Sequence, residues 1–312
     1  MQIRVVVLCF FTFFPMVADM NIKKVIIPAA GLGSRFYPWT HSVPKELLPL
    51  GNVPAIEYVI REALAAGCSD MIMISGARKN ALNDYFEKAN LPATFTYIPQ
   101  INPQGTGHAV SLAEIVIKED FFGVMYPDDL FIGEKSGIGQ LVEIAKREKA
   151  SVVGVIEVPW DHVSSYGVIN ITKKIDDNLF EINGVVEKPK KDEAPSNLIM
   201  PGRYVFSSRI FNYLKNLKKS ARGEFELTDA ITELAKNERV LAYKLEGRRY
   251  DVGTPENWLK ANIALALDVE KYSSSLVEFI KEEFKRRYGE EGVKKLLDGT
   301  RILRQAQDER GL

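Results

Sequence analysis

Behind an apolar run ending at Ala30 comes "GLGSRFYPWTHSVPKELLPL", in which two glycines, one arginine and one proline-flanked lysine stand within fifteen residues of one another. A dinucleotide-binding turn would carry a third glycine where Phe36 stands, and a P-loop would place Gly-Lys-Ser/Thr after its glycines, so neither explains the stretch. Gly31 and Gly33 let the backbone approach a ligand, and the N–H groups of Leu32 to Ser34 can form a nest for an anion. Arg35 adds a planar fork suited to phosphate oxygens. Pro44 and Pro49 stiffen the chain about Lys45, which makes that lysine a fixed positive charge.

Three further groups carry chemistry. In "QINPQGTGHAV", the amide of Gln100 and the backbone of Gly105 could together read the imide edge of a pyrimidine; alone, the loop could equally be a cap for the helix after it. In "MYPDDLF", two acids follow a buried strand, and alternation sends one of them to the ligand side, which we take to be Asp128 rather than Asp129. A strand-end carboxylate suits Mg²⁺, which takes few protein oxygens and fills its other positions with water and substrate phosphates. Asp251, in "YDVGT", is its natural partner. In "VVEKP", Glu187 can accept hydrogen bonds from sugar hydroxyls and Lys188 can pair with a sugar phosphate, although such a Glu-Lys pair is by itself an ordinary surface feature.

The elements that must position these groups alternate. Strands are expected at Lys23 to Ala30, Met71 to Ser75, Phe95 to Gln100, Gly123 to Pro127 and Ser151 to Val158. Helices are expected at Ala55 to Ala66, Ala81 to Lys88, Ala109 to Ile117 and Leu141 to Lys146. That order implies βαβ units: a Rossmann-like α/β class, three layers α/β/α, around a mixed, mainly parallel sheet. Ligands of such sheets sit beyond the carboxyl ends of the strands, where Gly31, Gln100 and Asp128 all fall. From Tyr166 the alternation gives way to "YGVINITKK", "FEINGVVEKP" and "GRYVFSS", a small antiparallel insertion. A helix from Leu227 to Lys236, a strand from Val240 to Leu245, the turn "RRYDVGTPENW" and a helix from Glu256 to Leu267 complete the fold.

Composition limits the partners. The 312 residues carry 41 basic and 41 acidic side chains, so no net field favours nucleic acid or an anionic membrane, and anions must be bound by local placement. Two cysteines, Cys9 and Cys68, give no disulfide framework, and the three histidines lack metal-ligand spacing, which suits a cytoplasmic setting. Residues 1–20 contain "VVVLCFFTFFPMVA", read as a leader or as a spurious extension ahead of a start at Met20. The expected organisation is then a catalytic domain over 21–268, its insertion over about 160–205, a helical segment over 269–299 and a disordered tail over 300–312. The charged helix from Ser275 to Leu297 could pair with another subunit.

Taken together and in this order, "GLGSRF", "PKELLP", "GTGHAV", "PDD", "YGVI", "VEKP", "GRYVF", "ELTDAI" and "DVG" resemble the sugar nucleotidyltransferase family, most closely its bacterial UTP-glucose-1-phosphate uridylyltransferases, from about Lys23 to Ala264. The resemblance implies UTP and glucose 1-phosphate as substrates and Mg²⁺ as cofactor. By position it puts Ala30, Gly31, Leu32, Gly33 and Arg35 on the triphosphate, Lys45 on a phosphate and Gln100 with Gly105 on uracil. Asp128 and Asp251 would hold the metal, while Gly167, Glu187 and Lys188 would bind the sugar and its phosphate. A homo-oligomer, dimer or tetramer, is also expected. Thr106 departs from the subfamily's usual leucine and matches the N-acetylglucosamine 1-phosphate uridylyltransferases. Relatives using dTTP, and a catalytically silent nucleotide-sugar sensor, are the other readings; retention of the whole charge set argues against the last.

Overall fold

The computed structural model describes residues 20–76 and 80–308, so the proposed leader over residues 1–19 lies outside the described residues. Strand β1 (Lys24–Ala29) leads through the glycine loop to the short hairpin β2 (Pro49–Leu50) and β3 (Val53–Pro54), then to helix α1 (Ala55–Ala65). Next come β4 (Asp70–Gly76), α2 (Asn80–Lys88), β5 (Thr94–Gln100), α3 (Thr106–Ser111), β6 (Phe121–Met125), β7 (Asp129–Ile132), α4 (Gly137–Glu148) and β8 (Ser151–Glu157). The antiparallel part holds β9 (Gly167–Lys174), β10 (Leu179–Glu187), β11 (Leu198–Ile199) and β12 (Arg203–Ser207). After it run α5 (Ile210–Leu214), α6 (Leu227–Asn237), β13 (Val240–Lys244), β14 (Arg248–Asp251), α7 (Pro255–Leu267) and α8 (Glu270–Asp308).

Ten of these strands form one sheet in the order β11-β9-β10-β13-β8-β12-β6-β1-β4-β5. The pairings of β5, β4, β1 and β6, and of β8 with β13, are parallel; β12, β10 and β11 run against the rest. Strand residues are apolar almost without interruption because helices cover both faces. Alternation then splits them: Val25, Ile27, Met71 and Met73 pack with Ile56, Ile60 and Leu141 on one face, while Ile26, Ile72 and Ile74 pack with Val110, Ile210 and Ile231 on the other. Each such fully buried side chain contributes about 1.5–3 kcal/mol.

Two details position the site. Strand β12, "RYVFS", lies in the middle of the sheet, between β8 and β6, whereas β9, β10 and β11 extend the sheet beyond β13. The turn containing Asp251 is in part the strand β14, which pairs with β7 and sets Asp251 opposite Asp129. This two-stranded ladder had no alternating signature long enough to announce it. Helix α8 carries a break at Gly289 (φ 69°) and continues over residues 300–308, where a disordered tail was expected.

Candidate active site

The glycine loop leaves β1 and turns at Gly33, whose φ of 66° lies in the left-handed region that favours glycine. Thr40 Oγ1 donates to Gly33 O at 2.7 Å, and a side-chain carbon built on Gly33 would meet Thr40 at 3.1 Å and Lys45 at 3.3 Å. Gly33 is therefore a packing requirement. Gly31 is different: the nearest neighbour of an added carbon would be Lys45 Cε at an ordinary contact distance of 3.9 Å, so a small side chain would fit there. Arg35 is exposed, with Nη1 3.5 Å from Gly253 O.

Lys45 begins a short 3₁₀ turn after Pro44 and reaches across to Asp128, Nζ to Oδ2 at 2.5 Å. Burial works against the charge on Lys45, but the carboxylates of Asp128 and Glu46 outweigh it and hold the ammonium above the ordinary lysine range. Burial likewise opposes ionisation of Asp128, and Lys45 more than offsets it, so this carboxyl lies below its usual value. Val252 donates its N–H to Asp128 O at 2.8 Å, and Gly253 donates its N–H to Asp251 Oδ1 at 2.8 Å. A carbon built on Gly253 would fall 3.1 Å from Asp251 Oδ1, 3.5 Å from Asp128 Oδ2 and 3.8 Å from Arg35 Nη1. Two acids and a guanidinium thus converge on one glycine.

Asp129 is 8% exposed and held by another side chain. Arg249 grips both of its oxygens, at 2.5 and 2.6 Å, and burial pushes the Asp129 carboxyl up against that pull. The Arg249 guanidinium lies 4.8 Å from the centre of the Tyr166 ring, and Tyr166 donates its hydroxyl to Asp251 Oδ2 at 2.9 Å. Asp251 is therefore held from two sides.

Two cavities flank this cluster. One, of about 300 Å³, is lined by Ala30, Gly31, Leu32, Lys45, Gly76, Gln100 and Pro103 among others. The other, of about 660 Å³, is lined by Arg35, Thr106, Asp128, Tyr166, Gly167, Glu187, Lys188, Arg222, Thr228 and Asp251 among others. The Lys45–Asp128 pair joins them, one partner in each wall. In the smaller cavity Gln100 is 3% exposed, and its Nε2 donates to His108 Nδ1 at 2.8 Å. Its nitrogen is thus engaged within the protein, which leaves the oxygen as the end that can accept from a base. Gly105 is not in that wall. Its φ is 106°, and its bare carbon faces the Phe225 backbone, where an added carbon would lie 2.6 Å from the carbonyl oxygen.

In the larger cavity, Glu187 ends β10 and Lys188 follows with a left-handed φ of 48°, its N–H donating to Tyr166 O at 3.0 Å. Lys188 Nζ stands 3.8 Å from Glu187, and Arg222 lies 3.7 Å from Glu187 and 2.7 Å from Glu226. Burial and the nearby Glu226 raise the Glu187 carboxyl above the ordinary range. A carbon on Gly167 would come within 3.3 Å of Glu187 Oε2 and 2.9 Å of the Met200 methyl, so any side chain here would have to displace its neighbours.

The family profile described as nucleotidyl transferase matches residues 24–267. The chain belongs to the nucleotidyl transferase family. It is 38% identical to the UTP–glucose-1-phosphate uridylyltransferase of Bacillus subtilis (strain 168), over 83% of this chain and 96% of that one. It is 40% identical to UTP–glucose-1-phosphate uridylyltransferase 2 of Staphylococcus saprophyticus, over 84% and 98%. Among solved structures, a UDP-glucose pyrophosphorylase complexed with UDP-glucose superposes with a TM-score of 0.76 at 36% identity, covering 80% of this chain and all of the other. A UTP-bound UGPase from Acinetobacter baumannii gives 0.75 at 32%, covering 83% and 98%.

Within this nucleotidyltransferase, Arg35, Lys45, Asp128, Asp251, Gly167, Glu187 and Lys188 line the two cavities with Ala30, Gly31, Leu32 and Gln100, while Gly33 lines neither. Gly105 lines neither cavity, and its carbonyl oxygen lies 3.5 Å from Gln100 Nε2. Among the described residues no group of three or more His, Cys, Asp or Glu could hold a metal, so a cation would find two carboxylates, Asp128 and Asp251. Two hard oxygen donors beside open space for phosphate fit Mg²⁺, and do not fit a metal needing a closed protein cage. Sequence reasoning missed Arg222, Arg249 and the buried Arg203. For the last a signal existed: an arginine inside an otherwise apolar strand needs a partner.

Proposed function

We propose that the chain transfers UMP from UTP to glucose 1-phosphate, giving UDP-glucose and pyrophosphate. The observation that carries this reading is the Lys45–Asp128 bridge between two cavities, so that occupants of both would meet at their phosphates. UTP lies with its base toward Gln100, whose carbonyl accepts from the uracil N3–H, and its triphosphate along Ala30 to Gly33 and Arg35. The sugar phosphate lies in the larger cavity, its hydroxyls donating to Glu187 and its phosphate against Lys188.

The attacking oxygen belongs to a phosphate that is already an anion, so no protein nucleophile or base is required. It attacks the α-phosphorus in line, and the bond to the β-phosphate oxygen breaks with release of pyrophosphate. What the protein supplies is alignment and charge: Arg35, Lys45 and Lys188 offset the repulsion between two phosphorylated substrates. Asp128 and Asp251 would hold Mg²⁺, which when bound neutralises phosphate charge at the point of transfer. Release of Lys45 from Asp128 on substrate binding would free the ammonium for phosphate.

The same reading assigns the catalytic unit to residues 21–268 with a sugar-binding insertion at about 160–205, followed by a helical segment, in a cytoplasmic homo-oligomer. Among the described residues no helix is long and apolar enough to cross a membrane. Thr106, which lines the sugar cavity, makes N-acetylglucosamine 1-phosphate the competitor to test. The experiment is pyrophosphate release with Mg²⁺ across UTP and dTTP, each with glucose 1-phosphate or N-acetylglucosamine 1-phosphate. UTP with glucose 1-phosphate should be fastest; a faster rate with dTTP or with the amino sugar would replace that assignment, and no release with any pair would leave a binding protein.

A further inference from the structure

Among the described residues Arg203 is the largest fully buried side chain, at 0% exposure in the central strand β12. Its charge is answered by Glu62 of α1, which accepts from Nε at 3.0 Å and from Nη2 at 2.7 Å. Glu62 Oε1 also accepts the N–H of Ile138 at 2.9 Å, in the first turn of α4, so the acid is anchored from a second side. A buried arginine with one carboxylate still has donors to satisfy, and where they go is informative. Nη1 donates to Tyr126 O at 3.0 Å, and Nη2 donates to Asp129 O at 2.6 Å. Those carbonyls bracket Pro127 and Asp128. The fork therefore grips the backbone on both sides of the residue whose carboxylate meets Lys45.

An apolar side chain could fill the same volume, and exchanging a buried ion pair for packed apolar groups is often neutral or stabilising. Stability alone thus gives little reason for the pair, whereas the geometry of its surplus hydrogen bonds does. Resting on the assignment of Asp128 made above, we propose that Arg203, oriented by Glu62, is a positioning residue: it fixes the Tyr126–Asp129 backbone so that the Asp128 carboxylate points at the junction of the two cavities. Arg203 is not among the residues lining either of those cavities, so its effect passes through Asp128.

The test compares the full-length wild type with Glu62→Leu/Arg203→Met, Arg203→Lys and Asp128→Asn. Each is assayed for thermal unfolding, for kcat and both KM values, and for Mn²⁺ affinity by electron paramagnetic resonance, with Mn²⁺ alone as the probe. The apolar double variant leaves no unpaired buried charge, but it strips partners from the Tyr126 and Asp129 carbonyls and from the Ile138 N–H, so it should stay folded at the assay temperature while unfolding below wild type. Its kcat should fall about tenfold or more, since small misplacement of a reacting group is costly, while both KM values stay within about threefold. Its Mn²⁺ affinity should fall in the same direction as in Asp128→Asn. Arg203→Lys, which keeps the charge but loses the fork, should show the same pattern. A kcat within about twofold of wild type with unchanged Mn²⁺ affinity, in whichever of the two variants folds, overturns the proposal. If Asp128→Asn is impaired and the Arg203 variants are not, the positioning role alone fails; if Asp128→Asn is itself normal, the assignment of Asp128 fails and takes this proposal with it.

Discussion

The two cavities are built by different means. The nucleotide side is built on a backbone turn: the loop after β1 brings Gly31 beside Gly76, with Thr40, Lys45 and one amide whose nitrogen is already committed to His108. The sugar side is made of side chains, where Glu187, Lys188, Arg222, Glu224 and Glu226 crowd one wall and satisfy one another until a ligand enters. A backbone site resists substitution at its glycines and tolerates change elsewhere. A side-chain site of mutually paired charges should instead redistribute, so that single changes alter preference and pH response more than fold.

The largest effect is expected where the two meet. Asp128→Asn should lower kcat at least about a hundredfold at saturating Mg²⁺, the usual loss when one electrostatic element of a transition state is removed. On the sugar side, Glu187→Gln should raise KM for glucose 1-phosphate roughly tenfold by weakening a charge-assisted hydrogen bond, with KM for UTP unchanged. The pH response gives the sign. The hydroxyl-accepting form of Glu187 is the ionised one, and its carboxyl is raised by burial and Glu226, so sugar binding should weaken as pH falls through a value above the ordinary glutamate range. In Glu187→Gln that limb should vanish, as a KM-against-pH profile would show; an unchanged profile assigns the limb elsewhere.

On the nucleotide side, Gln100→Leu should reduce kcat/KM for UTP about tenfold, through loss of one base contact, while KM for the sugar phosphate holds. The glycines separate by cause. Gly33→Ala meets a left-handed φ and crowding by Thr40 and Lys45, so it should destabilise the fold by about 1 kcal/mol or more in denaturant titration. Gly31→Ala meets no such obstacle and should leave stability within about 0.5 kcal/mol of wild type, raising only KM for UTP. If both behave alike, the backbone account of this cavity is wrong.

The same contrast decides what could be read from sequence. Most parallel strands were legible nearly to the residue, because burial on both faces makes each an unbroken apolar run of ordinary length: Lys24–Ala29, Asp70–Gly76 and Ser151–Glu157 lie within a residue or so of where the pattern put them, while Phe121–Met125 begins and ends two residues earlier than expected. The glycine loop and Lys45 were legible because a turn that needs glycine and a lysine flanked by prolines are local features. Strand alternation favours Asp128 over Asp129; in the structure Asp128 meets Lys45 and Asp129 is clasped by Arg249. What the sequence could not show at Gly105 is its neighbour Phe225, far along the chain, whose backbone leaves no room for a side chain there. For the same reason Arg222 and Arg249 gave no sign: their partners are set by the β7–β14 ladder and by the loop before α6, neither of which has a periodicity to read.

The central claim is that Asp128 and Asp251 act together as one charge-holding unit between two substrates. A double-mutant cycle on kcat, using Asp128→Asn, Asp251→Asn and both together at saturating Mg²⁺, measures this directly. Groups that work as a unit are strongly non-additive, so the double variant should be within about threefold of the slower single variant. Losses that multiply, toward about ten-thousandfold when each single change costs a hundredfold, would mean that the two carboxylates act independently and would contradict the account.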